Sequence, residues 1–320
     1  MMIGARTAAW AKSGSPTPAA YGGLCFTAEA DNSSVQLTAV GSAPVVTLVK
    51  SFDGVNWEAY AVGEVIDLPS TGDCVYLAAG EGGNETFGSG TTVYNKFVIN
   101  GLVAASGDIT SLRRFDLEQT TLARNCYANL FRGCTGLTSA PELPSTTLES
   151  GCYRSMFEGC TGLMSAPELP AITLASNCYA SMFRSCTGLT SAPELPATTL
   201  AINCYNNMFS GCTGLTSAPE LPATTLANGC CLRMFDGCTG LKSAPELPAT
   251  TLAVGCYQYM FSGCTNLSFI KVSLTAWGGS QTTSWVSGVS PTGTFYKPTA
   301  LPEEYGTSKI PTGWAVVNID

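Results

Sequence analysis

The sequence contains no histidine and few charged residues. Histidine is missing from all 320 positions, and Asp, Glu, Lys and Arg together make up 12% of the chain, against a typical content of about 25%. The absence of histidine excludes histidine general bases, Ser-His and Cys-His dyads and the commonest zinc ligand. We therefore expect no cofactor and no metal site, and we do not expect an enzyme.

Long apolar runs are also absent. No run of 18 apolar residues occurs, so the sequence predicts no membrane insertion. The net charge of −8 disfavours nucleic acid and anionic membranes as partners. Residues 1–23 lack the continuous apolar core of a secretory signal. We expect an extracellular, cell-surface or virion protein, which reaches its place after removal of a leader or by another route.

The dominant feature of the sequence is a 26-residue repeat between residues 120 and 266. A fixed period of roughly 20 to 50 residues is typical of solenoids, because one unit cannot bury its own apolar face and must stack on the next. The sequence therefore predicts a solenoid of about six repeats. Two columns of cysteines follow the period without interruption: Cys126, Cys152, Cys178, Cys204, Cys230 and Cys256, and Cys134, Cys160, Cys186, Cys212, Cys238 and Cys264.

Each repeat has two halves with different patterns. From Cys178, apolar residues recur at i, i+1, i+4, i+5 and i+8 between Asn177 and Gly188, which predicts a capped helix of about nine residues. The other half, Leu-Thr-Ser-Ala-Pro-Glu-Leu-Pro, is extended in character because a residue before proline avoids the helical region. We expect it to form a parallel strand of about two to four residues, interrupted at the proline.

The order of these segments resembles the BspA-type leucine-rich repeat of bacterial surface proteins. The extended run that ends in proline is similar to the strand of that family, and Cys-Tyr-x-x-Met-Phe-x-x-Cys is similar to its Ala-Phe-x-x-Cys helix. Met182, Phe183 and Cys186 stand at the family's Ala, Phe and Cys positions. The resemblance covers about half of the chain. It implies an α/β solenoid with one short parallel strand and one short helix per repeat.

The cysteines admit three interpretations. Twelve of the fifteen belong to the two columns, and Cys25, Cys74 and Cys231 lie outside them. Helices that pack about 8–10 Å apart hold their cysteines beyond the Cα separation of about 7 Å that a disulfide tolerates. We therefore expect the column cysteines to be reduced, buried packing residues. Disulfides between repeats and a metal site are the less favoured alternatives.

Other segments differ from the repeat. Between residues 24 and 105, short β-branched runs alternate with turn signals, which predicts a small all-β sandwich. Residues 51–57 resemble an Asp-box hairpin, a structural turn for which calcium binding is the alternative.

The predicted organisation is a flexible tail or attachment arm at 1–23, the sandwich at 24–105, the solenoid at 106–272 with a charged capping repeat at 111–117, and a C-terminal cap at 273–320. We expect four aromatic residues near the C-terminus to fill the end of the solenoid, and sugar binding is the alternative: Trp277, Trp285, Phe295 and Trp314.

The repeats differ from one another at positions that face away from the predicted helix core. Drift on a solvated surface and a variable recognition surface both explain this pattern. The candidate binding residues at these positions are Arg154, Arg184, Asn206, Asn207, Leu232, Arg233, Gln258 and Tyr259. A second candidate is a row of one glutamate per repeat, interpreted as a solvated stripe: Glu142, Glu168, Glu194, Glu220 and Glu246.

These features predict a non-enzymatic binding or adhesion protein. We expect it to recognise a cell-surface glycan or protein, as a bacterial surface protein or as a phage fibre or appendage protein. The N-terminal region is a candidate contact between copies in a homo-oligomer. The alternatives are an inert spacer or virion structural component and, less favoured, a glycan hydrolase with two carboxylates about 5–10 Å apart.

Overall fold

The computed structural model describes residues 23–88, 92–114 and 121–319. These residues form thirteen β-strands and two short 3-10 helices, Ile109–Leu112 and Ser280–Thr282, and they contain no α-helix. None of their helices is long and apolar enough to cross a membrane. The tail predicted at 1–23 lies, except for Gly23, outside the described residues, and so do residues 115–117 of the predicted capping repeat.

Two antiparallel sheets form a sandwich in the N-terminal region. The first has the strand order β4-β3-β6-β1-β8, and the second has the order β5-β2-β7. Alternate residues from both sheets, among them Phe26, Leu37 and Phe97, are fully buried in one apolar core, as the alternation of side chains along strands requires. The strands are β1 Cys25–Ala28, β2 Ser33–Val40, β3 Leu48–Ser51, β4 Glu58–Tyr60, β5 Val65–Leu68, β6 Cys74–Ala79, β7 Tyr94–Asn100 and β8 Val103–Ser106.

The solenoid begins directly on the edge of this sandwich. Strand β9, Leu137–Ser139, pairs in parallel with β8. The backbone N–H of Phe97 donates to the carbonyl of Leu130 at 2.7 Å, and the rings of Phe97 and Phe131 stack with 5.1 Å between their centroids. The sandwich therefore supplies the surface on which the first repeat packs.

Successive repeats stack as the turns of a solenoid, which confirms that prediction. Backbone N–H groups donate to carbonyls 25 residues later, for example from Ser181 to Asn206 at 2.8 Å and from Phe183 to Met208 at 2.9 Å. Equivalent rings stack almost in parallel: Phe157 and Phe183 are 5.6 Å apart between centroids. Each repeat thus buries the apolar face of its neighbour.

The predicted helix in each repeat is wrong, because this half is a run of overlapping β-turns. Between residues 175 and 186, every second N–H donates three residues back, for example from Ala180 to Asn177 and from Met182 to Tyr179. Asn177, Tyr179 and Ser181 have φ between 57° and 60°, which no right-handed helix contains. Positive φ at the third residue is the mark of a type II turn. The intervening N–H groups donate to the next repeat, except that of Tyr179, which donates to the Cys152 carbonyl of the preceding repeat at 3.3 Å.

The extended half of most repeats pairs in parallel as a strand or an isolated bridge, while residues 215–222 form neither. Strand β10, Ser243–Leu247, pairs in parallel with β11, Phe269–Val272, whereas other repeats pair at single positions such as Ser165 with Ser191. The proline shortens the pairing because it has no N–H to donate. Along this half, the leucine after each glutamate is buried and the glutamate is exposed.

The C-terminal region continues the stack. Strands β12, Thr294–Pro298, and β13, Ala315–Ile319, extend the parallel sheet in the order β10-β11-β12-β13. The indole of Trp285 is fully buried against Phe261 and Phe295, with 6.1 and 6.2 Å between ring centroids. Aromatic side chains thus fill the end of the solenoid core.

All column cysteines are buried and unpaired. The separation expected from packed helices is wrong, since stacked turns joined by backbone hydrogen bonds are closer than helices. What the thiols do instead is donate hydrogen bonds: Cys160 Sγ donates to the Phe131 carbonyl at 3.0 Å, and Cys186 Sγ donates to the Phe157 carbonyl at 3.0 Å.

Candidate functional site

The solenoid presents two faces with different chemistry. We call the turn face the surface built from the overlapping turns, residues 124–133, 150–159, 176–185, 202–211, 228–237 and 254–263. We call the strand face the surface built from the Ala-Pro-Glu-Leu-Pro segments. Because the turns stack in register, residues 26 positions apart form columns along each face.

All eight candidate binding residues lie on the turn face. Arg154, Asn206, Leu232 and Gln258 share one column, Asn207, Arg233 and Tyr259 share the next, and Arg184 lies in a third; Arg184 is exposed and the others are half-buried. The structure therefore brings them onto one surface.

Some variable positions are not on the surface as expected. Ala128, Asn129, Ser155 and Ala180 are buried. The reason is the turn geometry, which turns a short side chain at these positions against the neighbouring repeat. Other members of these columns, such as Ser181 and Asn207, are half-buried.

Opposite charges alternate along the third column of the turn face. The Glu158 carboxylate accepts a hydrogen bond from Arg132 Nη2 at 3.3 Å and lies 3.7 Å from Arg184 Nη1. One carboxylate thus lies between two guanidinium groups from the preceding and following repeats. Ion pairs this exposed contribute little to stability, but they hold the two guanidinium groups in place.

A second cluster lies toward the C-terminal end of the turn face. The guanidinium of Arg233 stacks over the ring of Tyr259 at 4.2 Å from its centroid, and it pairs with Asp236 at 2.9 Å. The amides of Asn206 and Asn207 hydrogen-bond each other one repeat earlier. The face therefore offers a stacked aromatic ring, a fixed guanidinium and amide groups, which are groups that recognise polar ligands.

The turn face is basic although the chain is acidic. Its segments contain five arginines, Arg124, Arg132, Arg154, Arg184 and Arg233, against two acidic residues, Glu158 and Asp236. Arg124, Arg132, Glu158 and Asp236 are missing from the sequence-based candidate set. A spacing of 26 residues relates Arg132 and Glu158 to Arg184, and a spacing of three residues relates Asp236 to Arg233, whereas no such spacing marks Arg124.

The strand face carries the acidic row. All five of its glutamates are exposed, and the last, Glu246, pairs with Lys271 at 3.0 Å. A shallow groove of about 310 Å³ crosses this face between two repeats, lined by Pro167, Glu168, Pro193 and Glu194 among others. Glu168, Glu194 and Glu220 recur in the same Ala-Pro-Glu-Leu-Pro segment, a repetition that does not distinguish an acid from a base.

The Asp-box segment is a self-contained turn between β3 and β4. The Asp53 carboxylate accepts hydrogen bonds from the backbone N–H groups of Asn56 and Val55 at 2.7 and 2.8 Å. It also accepts from the Asn56 amide and the Ser51 hydroxyl. These bonds, the Asn56 N–H first, hold the pKa of Asp53 well below its usual value. Both carboxylate oxygens are thus used by the turn itself.

Ten of the twelve column thiols have a pKa raised above its ordinary value, whereas hydrogen bonds with Cys152 and Cys231 lower the pKa of the other two, Cys178 and Cys230. Burial raises the pKa of Cys134, Cys186 and Cys238 to about 12 from an ordinary value of 9.0. A thiol acts as a nucleophile only as its thiolate. These residues are therefore packing residues, and among the described residues no group of three or more His, Cys, Asp or Glu could hold a metal ion.

The C-terminal aromatics are parts of the core. Trp285 and Phe295 are fully buried and Trp314 is 4% exposed. Trp277 is partly buried, and its Nε1 donates to the Pro302 carbonyl at 2.7 Å. Trp285, Phe295 and Trp314 are therefore too buried to stack on a sugar, and the Lys309 ammonium lies over the Trp277 ring at 5.4 Å from its centroid. The turn face is the stronger candidate site. Comparisons of the chain with protein-family models, curated proteins and solved structures find no match.

Proposed function

We propose that this protein is a non-enzymatic, extracellular or virion-borne binding protein that recognises a surface glycan or protein through its turn face. The observation that carries the proposal is the division of each repeat into a constant buried frame and variable side chains on one face. Stacked repeats offer extended surfaces of the kind that solenoids use for binding. The BspA-type resemblance, which implies a surface protein, agrees with this role.

The charge of the turn face favours an anionic ligand. Its arginines outnumber its acidic residues on a chain whose net charge is −8. Arginine binds carboxylate and sulfate groups with two parallel hydrogen bonds. An acidic glycan, or an acidic patch on a protein, is therefore the class of ligand that the surface fits best.

The test compares variants of the two faces on an array of neutral, sialylated and sulfated glycans and on whole cells. The turn-face variant combines Arg154→Glu, Arg184→Glu, Arg233→Glu and Tyr259→Ala. We expect it to lose at least about tenfold in affinity, because each buried or fixed arginine contact with an anion contributes on the order of 1.5–3 kcal/mol. Its thermal unfolding temperature should stay close to that of the wild type.

The matched control changes the strand face by Glu168→Lys and Glu194→Lys. It reverses the charge of two exposed side chains, as the turn-face variant does for its arginines, and it should leave binding intact. Equal binding by the turn-face variant and the wild type would exclude the turn face as the site. No binding by the wild type to any glycan or cell would favour the alternative, an inert spacer or virion structural component.

A further inference from the structure

Two cysteines outside the columns share one face of the sandwich. Cys25 on β1 and Cys74 on β6 belong to adjacent antiparallel strands, in which Cys25 lies opposite Tyr76 and Thr27 lies opposite Cys74. Phe26 and Val75, which alternate with them, are fully buried in the core. Because side chains alternate along a strand, both cysteines lie on the other side of the sheet. The two thiols therefore occupy diagonal positions on one face.

The two thiols are neighbours on this face. The Cys25 Sγ lies 3.8 Å from the Thr27 hydroxyl; burial raises the pKa of the Cys25 thiol, and the neighbouring Cys74 thiol adds to that rise. Diagonal Cα atoms are usually about 7–8 Å apart, just beyond the upper limit of about 6.8 Å for a disulfide. Because both side chains project from the same face of adjacent strands, a small shift of β1 against β6 brings them within bonding distance.

This pair differs from the column cysteines in access and in partners. Cys74 is half-buried and Cys25 is 8% exposed, whereas the column thiols are buried and many donate to backbone carbonyls, such as Cys212 Sγ to Phe183 at 2.9 Å. A disulfide within a column would remove such bonds from the core. A bond between Cys25 and Cys74 replaces contacts with side-chain groups only. Cys152 and Cys178 are also neighbouring thiols, as are Cys230 and Cys231, but all four are at most 1% exposed. A small-molecule disulfide therefore reaches the sandwich pair first.

We propose that Cys25 and Cys74 form a reversible disulfide when the protein meets a small-molecule disulfide such as oxidised glutathione. The Cys74 thiolate attacks one sulfur of oxidised glutathione, forms a mixed disulfide and releases one glutathione. The Cys25 thiol then loses its proton, attacks the Cys74 sulfur and releases the second glutathione. The two cysteines lose two electrons and two protons, which the glutathione disulfide takes up.

The position of the bond gives it a structural consequence. Strand β1 lies between β6 and β8, and β8 carries the first strand of the solenoid, β9. The disulfide closes a loop of about 50 residues, so it restricts the unfolded chain. It therefore fastens the part of the sandwich on which the solenoid begins. Because the bond lies near the surface at the limit of the allowed separation, thiol reductants should open it readily.

The test uses the full chain, oxidised glutathione at pH 8, alkylation of the remaining thiols and peptide mass spectrometry. In the wild type we expect one linked peptide pair, joined through Cys25 and Cys74, and its loss after dithiothreitol. The apparent unfolding temperature should rise by roughly 5 °C on oxidation. Cys74→Ser and Cys25→Ser should show neither effect, while the control Ser106→Ala, which keeps both thiols, should show both.

Three results would overturn the proposal. The first is that both cysteines remain alkylated as separate thiols in the folded, oxidised wild type. The second is that each carries its own glutathione. The third is that column cysteines cross-link before this pair. The peptide mapping is made on the wild type, so a folding defect in either serine variant does not affect the decision.

Discussion

At the scale of single residues, the cysteines of the solenoid serve as weak hydrogen-bond donors within an apolar core. In the second column, Cys212, Cys238 and Cys264 each donate to the phenylalanine carbonyl 29 residues earlier, at 2.9 to 3.0 Å. A thiol suits this position because it packs like a small apolar group and still carries a proton to donate. A single atom thus satisfies packing and links two repeats.

This role predicts a loss of stability in alkaline solution. Burial raises the pKa of Cys186, Cys204 and Cys238 from 9.0 to about 12. An unfolded chain ionises these thiols above about pH 9, whereas the folded chain does not, so ionisation favours unfolding. The stability is fully present below pH 9 and falls as the pH rises toward 12, by at most about 1.4 kcal/mol per thiol and pH unit.

Urea unfolding at pH 7.5, 9 and 10.5 under reducing conditions measures this effect. We expect the midpoint to change little between the first two values and to fall clearly at the third. The buried tyrosines, such as Tyr179, act in the same direction at still higher pH, because burial raises their pKa as well. An unchanged midpoint at pH 10.5 would mean that the column thiols are accessible to hydroxide and ionise in the folded state.

At the scale of elements, the helix prediction fails for a physical reason. In one repeat the residues that are at most 1% exposed alternate in pairs with less buried residues, which is a period of four: Cys178, Tyr179, Met182, Phe183 and Cys186. A helix has a period of 3.6, and the two patterns differ by only about 80° over nine residues. Apolar spacing in so short a segment cannot separate helix from overlapping turns.

The small residues were the better signal in this segment. Gly or Asn stands before every first-column cysteine, and Gly or Ser stands before every second-column cysteine. The residue before the first-column cysteine also fits a helix cap, but a glycine immediately before the second-column cysteine lies inside the predicted helix, where it is unfavourable. The sequence is sufficient to predict the solenoid and its buried leucines, because the 26-residue period is long and unbroken. Contacts between repeats, such as that of Arg132 with Glu158, cannot be predicted from it, because they depend on how the turns stack.

Gly237→Ala distinguishes the two conformations by the sign of its effect. Gly237 has φ of 75°, and a Cβ there would meet no atom closer than 3.9 Å, so its only cost is the left-handed backbone. We expect a loss of about 1–2 kcal/mol in the free energy of unfolding, whereas a helix would gain about 1 kcal/mol from alanine. Chemical denaturation measures the difference.

The matched variant is Ser185→Gly, which changes the equivalent position two repeats earlier. Ser185 has φ of 60°, so glycine removes the strain of a side chain in the left-handed region. Its stability should equal or exceed that of the wild type. A gain from Gly237→Ala together with a loss from Ser185→Gly would contradict the turn structure.

At the scale of the whole molecule, a single column of stacked aromatic rings runs from the sandwich to the C-terminal cap. It passes from Phe26 and Phe97 in the sandwich to Phe131 in the first repeat, and it ends at Phe261 and Trp285. Neighbouring rings along it are 4.9 to 6.1 Å apart between centroids. Sandwich, solenoid and cap therefore share one core, and each repeat depends on its neighbours.

This continuity predicts that damage to the sandwich reaches the solenoid. Phe97 is fully buried, and its ring lies 4.9 Å from Phe26 and 5.1 Å from Phe131 between centroids. Phe97→Ala should cost about 3–5 kcal/mol. Hydrogen exchange followed by mass spectrometry should then show faster exchange in β8 and in residues 124–134, with little change in the last repeat, because coupling in a solenoid passes between nearest neighbours.

Phe52→Ala is the control, since Phe52 lies in the same sandwich and is 52% exposed. Faster exchange confined to the sandwich strands, with the first repeat as protected as in the wild type, would show that the solenoid is stable without the surface on which it begins.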